Sequence, residues 1–221
     1  MRYKTLLFIA IIGLILVSCQ KTVTEYYPNG QIRSVIEKRG GENHGKAVYY
    51  YENGVVYQEL YFRNGQPDGL SRRFYPLGGL EWEETYAMGL RQGPRRMYSQ
   101  GGKKIAESFY TKDTLDGGYT EWHENGTIKV TGRYRKGFFD GVWQYFDAGG
   151  YQLGEGTFSS GTGVQRSWYY GGKPQKVIHY LNNRKHGMEQ DFDTAGRLVS
   201  EKEYIQDSLV SRKQYPPPVG E

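Results

Sequence analysis

Glycine recurs in this chain on a fixed step, and a step of that kind permits few folds. One series stands at Gly30, Gly54, Gly79, Gly102, Gly126, Gly150, Gly172 and Gly196, 24 residues apart with excursions to 25, 23 and 22. A second runs Gly45, Gly69, Gly93, Gly117, Gly141, Gly163 and Gly187 on the same step, broken only around Gly163. Self-similarity at such a period is the mark of a repeat architecture, each repeat one supersecondary unit stacked on the next. With 31 glycines and 21 tyrosines the composition opposes helix and suits short strands joined by tight turns.

An aromatic residue follows each second-series glycine by five positions, at Tyr50, Phe74, Tyr98, Trp122, Phe146, Trp168 and Phe192. Tyr26 and Tyr215 fill the same slot at the two ends, so the array is expected to begin and finish on the strand that carries it. Each unit then reads as strand A, loop, strand B, turn. In one unit Val55 to Phe62 is strand A, Arg63 to Gly69 the loop and Leu70 to Tyr75 strand B.

Asn29-Gly30, Asn53-Gly54 and Asn125-Gly126 read as two-residue type I′ turns, which need φ above zero at both central residues. Gly78-Gly79, Gly101-Gly102, Gly149-Gly150 and Gly171-Gly172 meet the same need. That turn sets the strand B aromatic opposite Tyr57, Trp82, Ile105, Leu153 or Val199 in five units. A second aromatic closes strand A at Phe62, Tyr86, Tyr110, Tyr134, Phe158, Tyr180 and Tyr204.

The predicted fold is all-β: an elongated, solenoid-like antiparallel meander of about eight tandem hairpins. Roughly 17 strands at about 4.8 Å spacing give an open sheet some 80 Å long. Its burial must come from the aromatic rows. The shortened loop Ser159-Ser160-Gly161-Thr162 and the last unit, Ile205 to Val210, break the pattern and suggest a bend and a cap.

The amino terminus is not part of that array. Arg2 and Lys4 precede an apolar run from Leu6 to Val17, which at about 1.5 Å per residue is too short to cross a hydrocarbon core of about 30 Å. Residues 1–18 therefore read as a signal peptide. The only cysteine, Cys19, follows directly in Leu16-Val17-Ser18-Cys19, which resembles a bacterial lipobox. That resemblance implies cleavage before Cys19, a diacylglycerol on its thiol and an acylated new amino terminus, which together anchor the chain stably. The organisation expected is a leader over 1–18, an anchor and linker over 19–21, repeats over 22–215 and a proline-rich tail over 216–221.

Removal of the leader takes Arg2 and Lys4 from the 29 basic residues and leaves 27 against 24 acidic. A near balance, on an exported chain, argues against nucleic acid as a partner. With no cysteine beyond Cys19 the folded part holds no internal disulfide.

Catalytic chemistry finds no foothold. His44, His123, His179 and His186 have no metal-ligand spacing, and no serine stands in a nucleophile elbow. Glu83 and Glu84 are strand neighbours and point to opposite faces. Asp68, Asp116 and Asp140, with His44 and His186 in the same slot, precede second-series glycines. Turn chemistry accounts for them, because groups about 9.6 Å apart cannot share an ion. No catalytic residue, metal or cofactor is therefore assigned. Arg72-Arg73 and Arg95-Arg96 read as a solvated face. Most aromatics pack the sheet; Trp82, Trp122, Trp143 and Trp168 are the ones expected to be exposed and available for binding.

Tyr51-Glu52-Asn53-Gly54 with Pro67-Asp68-Gly69, and Trp122-His123-Glu124-Asn125-Gly126 with Phe139-Asp140-Gly141-Val142-Trp143, resemble the bacterial variant of the MORN repeat. The resemblance covers about residues 22 to 215. It implies repeats of the kind found in YwqK-family antitoxins and in many lipoproteins. The expectation is a lipid-anchored, non-catalytic protein-binding or scaffold module of a cell envelope, its anchor in the outer membrane rather than the inner because Gln20 follows Cys19. The alternatives are a polysaccharide or lipid-headgroup binder using exposed aromatics, and an immunity-type partner of a toxin.

Overall fold

The computed structural model describes residues 19–216. The leader expected over 1–18 and all of the tail but Pro216 lie outside the described residues. The strands are β1 (Gln20–Tyr26), β2 (Ile32–Arg39), β3 (Glu42–Tyr50), β4 (Val56–Arg63), β5 (Gln66–Pro67) and β6 (Gly69–Phe74). Then come β7 (Leu80–Ala87), β8 (Leu90–Tyr98), β9 (Lys104–Thr111), β10 (Thr114–Trp122), β11 (Ile128–Arg135) and β12 (Phe138–Phe146). The last are β13 (Gln152–Ser159), β14 (Thr162–Trp168), β15 (Pro174–Leu181), β16 (Arg184–Phe192), β17 (Leu198–Ile205) and β18 (Ser208–Gln214). Each but β5 pairs antiparallel with the next, so the sheet is one open meander. β5 and β6 are one strand interrupted at Asp68, and both pair with β4. The 18 segments thus make 17 strands, beginning and ending on strand B.

The two kinds of turn exchange the roles inferred from the sequence. From strand B to strand A, the Gly30 N–H donates to the Tyr27 carbonyl at 2.9 Å and the Tyr27 N–H to the Gln31 carbonyl at 2.8 Å. Gly30 has φ 83°, while Asn29 stays at negative φ. This is a type I turn over Pro28 and Asn29 closed by a left-handed glycine, a three-residue loop rather than the two-residue turn expected. The same bond pair recurs at Tyr51, Tyr75, Ser99, His123, Asp147, Tyr169 and Asp193.

In the third of these turns the closing residue is Gly78, which donates to Tyr75, and not Gly79. The first series is then even, every step 24 residues except the 22 from Gly150 to Gly172. The longer loop also moves the pairing expected at Tyr57, Trp82, Ile105, Leu153 and Val199. Tyr50 faces Val56, Phe74 faces Leu80, Tyr98 faces Lys104, Phe146 faces Gln152 and Phe192 faces Leu198.

Type I′ turns sit at the other end of the hairpin, inside the segment read as a loop. Strand β4 runs on to Arg63, Asn64 and Gly65 turn it with φ 50° and 77°, and β5 starts at Gln66. Lys112-Asp113 and Gln206-Asp207 make the same turn without glycine. The second-series glycines lie within strand B, all but Gly163 at a bulge. On β16, residues 186 to 188 face the single residue His179 of β15 between the pairs Tyr180–Lys185 and Ile178–Glu189.

The 22-residue repeat is the 24-residue one without that bulge. β14 pairs with β13 unbroken from Ser159–Thr162 to Gly154–Ser167. Gly163 therefore faces Phe158 on one side and Tyr180 on the other. In β12 the same two duties fall to Phe139, opposite Tyr134, and Gly141, opposite Phe158.

Followed through the register, the buried residues Ser34, Ile36, Ala47, Ser71, Glu84, Ser108, Trp143, Phe158, Glu189 and Ser200 all point to one face. A flat single layer would expose both faces alike, so the sheet curls toward this one, with the bulges bending the strands B that carry them. At its centre Tyr119, Tyr134, Phe139, Trp143, Phe158 and Tyr180 pack ring to ring, centroids 4.8 to 6.4 Å apart. Each such pair adds about 0.5–1.5 kcal/mol beyond the area it buries.

The margin of type I′ turns carries a backbone bond at every step after the first turn. Gly65, Gly89, Asp113, Gly137, Gly161, Asn183 and Asp207 each donate their N–H to a carbonyl one hairpin back, at 2.7 to 3.0 Å. At the short repeat the turns draw close enough for Asn183 to reach the Phe139 N–H and the Gly137 carbonyl, both at 2.8 Å.

Candidate binding surfaces

Along the wide-turn margin the contacts between repeats are made by side chains. The hydroxyls of Tyr27, Tyr51, Tyr75 and Tyr169 donate to the carbonyls of Tyr50, Phe74, Tyr98 and Phe192 at 2.6 to 2.9 Å. His123 takes the place of tyrosine once, its Nε2 donating to the Phe146 carbonyl at 3.0 Å. Sequence reasoning placed the recurring aromatic one residue earlier and missed this row. The signal was in the doublets Tyr26-Tyr27, Tyr50-Tyr51, Phe74-Tyr75 and Trp168-Tyr169. The Asn53 and Asn125 amides likewise donate to the Pro76 and Ala148 carbonyls of the next turn, at 2.9 and 2.7 Å.

Two open clefts walled by tryptophan lie on this margin, two repeats apart and built from corresponding positions. The first, about 370 Å³, is lined by Lys103, Lys104, Trp122, Asn125 and Gly126. Its aromatic wall is covered: the Lys104 ammonium lies 4.3 Å from the Trp122 ring centroid and 3.5 Å from Glu107. The second, about 360 Å³, is lined by Tyr151, Gln152, Glu155, Trp168 and Gly172. There Gln152 replaces the lysine and donates to Glu155 at 3.3 Å.

Beside the second cleft Tyr151 and Tyr170 stack with centroids 4.9 Å apart, 42% and 70% exposed. The Tyr170 hydroxyl donates to Asp147, which also accepts the Gly149 and Tyr151 N–H groups at 2.9 Å. The Tyr170 bond, with these backbone donors, holds the Asp147 carboxyl below its ordinary value.

The four tryptophans expected to face solvent do not share one environment. Trp122 and Trp168 are half-buried walls of the clefts. Trp82 is half-buried on the concave face, with the Arg95 guanidinium 5.3 Å from its ring. Trp143 is a correction: it is 3% exposed, its indole over Gly132 and its Nε1–H donating to the Arg133 carbonyl at 3.1 Å. The concave face needs a large ring where glycine leaves room, and Trp143 supplies it.

Charge on the concave face is paired inward. Glu84, 5% exposed, accepts the Tyr86 hydroxyl at 2.7 Å and faces Arg95 at 3.7 Å. Burial, reinforced by Glu84, pushes the Tyr86 phenol up to about 12. Glu83 points to the outer face and bonds Arg72, Arg96 and Tyr98, as alternation along the strand requires. Glu189 holds Lys185 at 2.6 Å, Lys202 at 2.9 Å and Lys176 at 3.5 Å. Burial opposes its charge, but these ammonium groups outweigh burial and keep the carboxyl below its usual range. Asp191 beside it is lowered to about 2, burial being overcome by Lys202, Ser200 and Lys176.

The His and Asp slot before the bulge glycines serves the turns. His44 Nδ1 accepts the Asn64 N–H at 3.4 Å, Asp68 accepts the Met88 N–H at 3.5 Å, and Arg63 and Arg135 pair with Asp68 and Asp140. Among the described residues no three His, Cys, Asp or Glu side chains gather as a metal site. Cys19 stands free and exposed just ahead of β1.

The family model described as MORN repeat variant matches residues 20–37, 43–64, 115–136 and 162–182. Each match spans one strand B and most or all of the strand A that follows, and the unmatched stretches between them form the same hairpins. Repeats of this family are generally protein- or membrane-binding modules rather than enzymes. No curated protein matches the chain.

Proposed function

We propose that this chain is a non-catalytic scaffold of a bacterial cell envelope, lipid-anchored through Cys19 in the outer membrane, which offers the outer face of its ribbon to a protein partner. The observation that carries the reading is a row of apolar groups along that face. Tyr61 and Phe109 are exposed in it with Leu70 and Pro94 between them, the cross-strand pairs Leu70–Thr85 and Pro94–Phe109 keep it in line, and exposed Val142 follows beyond Gly118 and Arg133. Packing of the sheet does not need these side chains, since other repeats carry Glu37, Arg133 or Glu203 there. Ion pairs flank the row, among them Lys46–Glu59 and Arg96–Glu107. An apolar centre with a charged rim is the usual anatomy of a protein contact.

The anchor is tested by intact mass and detergent partitioning of the native chain against Cys19→Ala. A cleaved, acylated mass and a detergent-phase protein are expected for the native chain alone. Equal, aqueous behaviour of both would remove the envelope from the reading. The partner is sought by pull-down from solubilised membranes with Phe109→Lys as the control. One stoichiometric protein, lost in the variant, is expected; retention on polysaccharide instead would favour a glycan binder.

A further inference from the structure

We propose that the cleft over Trp168 is a receptor for an ammonium group, filled by a lysine side chain that a protein partner presents. The argument is a comparison within the molecule. Two repeats earlier, the corresponding cleft holds an ammonium of its own: Lys104 Nζ lies against the Trp122 ring and beside the Glu107 carboxylate. The later cleft keeps the indole, as Trp168, and the carboxylate, as Glu155, at the matching positions. The cation is gone, because Gln152 stands where Lys104 stood, and Tyr151 and Gly171 replace Lys103 and Asn125.

The residues that remain are left without a positive partner. Among the described residues no cation lies over Trp168, and Glu155 makes no ion pair, although Arg166 stands opposite it across the strands. What the second cleft gains points the same way. Tyr151 adds a second aromatic wall, and Tyr170, stacked on it and held by Asp147, fixes that wall in place. Tyr151 and Tyr170 occupy turn positions filled elsewhere by such residues as Gln31, Lys103 and Thr127, and by Pro28, Glu52 and Glu124. A scaffold residue recurs; these two do not. Indole, phenol and carboxylate around one opening are the arrangement that attracts a cation by the ring quadrupole and by charge.

A primary ammonium fits better than a quaternary one, since the group that fills the earlier cleft is itself a lysine and uses the carboxylate. That the ammonium comes from a protein rests on the reading of the ribbon as a protein-contact surface; the cleft's preference for it does not.

The test is an NMR titration of the intact, detergent-solubilised chain with Nα-acetyl-lysine amide, its neutral isostere Nα-acetyl-norleucine amide, and choline. A saturable shift of the Trp168 indole N–H is expected with the lysine amide and not with the isostere. Gln152→Lys, which restores the intramolecular ammonium, should abolish that shift and leave the rest of the spectrum in place. Glu155→Gln should weaken binding severalfold. Equal shifts with the isostere, a shift with choline alone, or binding that survives Gln152→Lys would overturn the proposal. Pull-down of a partner with no lysine-amide shift sinks this site and leaves the scaffold reading; a shift without a protein partner does the reverse.

Discussion

Gly132 and Trp143 face each other across the β11–β12 bulge so closely that a Cβ on Gly132 would stand 2.2 Å from the indole Cδ2. The glycine is the seat of the ring. Tyr134, Phe139 and Tyr119 close around the same indole at 4.8 to 5.5 Å, so the pair holds the middle of the concave face together.

Substitution at either partner should therefore cost stability by a different route. Gly132→Ala forces the indole off its site, an overpacking of about 1–3 kcal/mol, and Trp143→Ala opens a cavity of about 3–5 kcal/mol. Urea unfolding followed by tyrosine and tryptophan fluorescence checks both. A Gly132→Ala chain as stable as the parent would mean that the ring does not sit where described.

Strand B should tolerate loss of residues in twos and not singly. Deleting Leu115 and Asp116 leaves Thr114-Gly117-Gly118 in the arrangement that Thr162-Gly163-Val164 has in β14. Deleting Asp116 alone turns every later side chain of the strand to the wrong face. Circular dichroism melts should show a cooperative transition for the double deletion and none, or one far lower, for the single.

Acid should weaken the carboxyl-terminal repeats first. The Glu189 and Asp191 carboxyls lie lower in the folded chain than in the unfolded one, so their contribution is complete above the unfolded values and is lost as pH falls through the folded ones. The window runs from about pH 4.5 to about pH 2. Asp191 accounts for on the order of 2 kcal/mol of it. Asp191→Asn should be less stable than the parent at pH 7, with the difference shrinking as pH falls through about 2, by urea midpoint. A constant difference across that range would break the link to ionisation.

The tyrosine row is tested at one rung. Tyr51→Phe removes the bond to the Phe74 carbonyl and keeps the ring, and should cost about 1 kcal/mol. Hydrogen exchange should show the loss in the turns around Gly54 and Gly78 rather than throughout.

The period, the strand number and the two aromatic series were legible because each is a property of spacing. Which hairpin end carries which turn was not. Asn-Gly suits a type I′ turn, but it also suits the last two positions of a type I turn closed by glycine, and only the count of loop residues separates them. The true type I′ sites include Lys112-Asp113 and Gln206-Asp207, which carry no glycine to announce them. Gly78-Gly79 hid the even step because either glycine could close the turn. The burial of Trp143 depended on Gly132 across the bulge, a contact no local pattern displays. Tyr151 and Tyr170 could have been found as breaks in the repeat, had departures been read as closely as recurrences.

The ribbon's two margins differ in what they ask of sequence. On one, successive turns share an N–H to carbonyl bond at every step, to which Asp113, Asn183 and Asp207 add side-chain bonds. On the other, the joints are a tyrosine hydroxyl, an asparagine amide or a histidine ring, and the two tryptophan-walled clefts open there. One border works as a binding spine, stitched at every step whatever the lettering adds; the other is the fore-edge, where a changed letter alters what the molecule can grip while the stack stays bound.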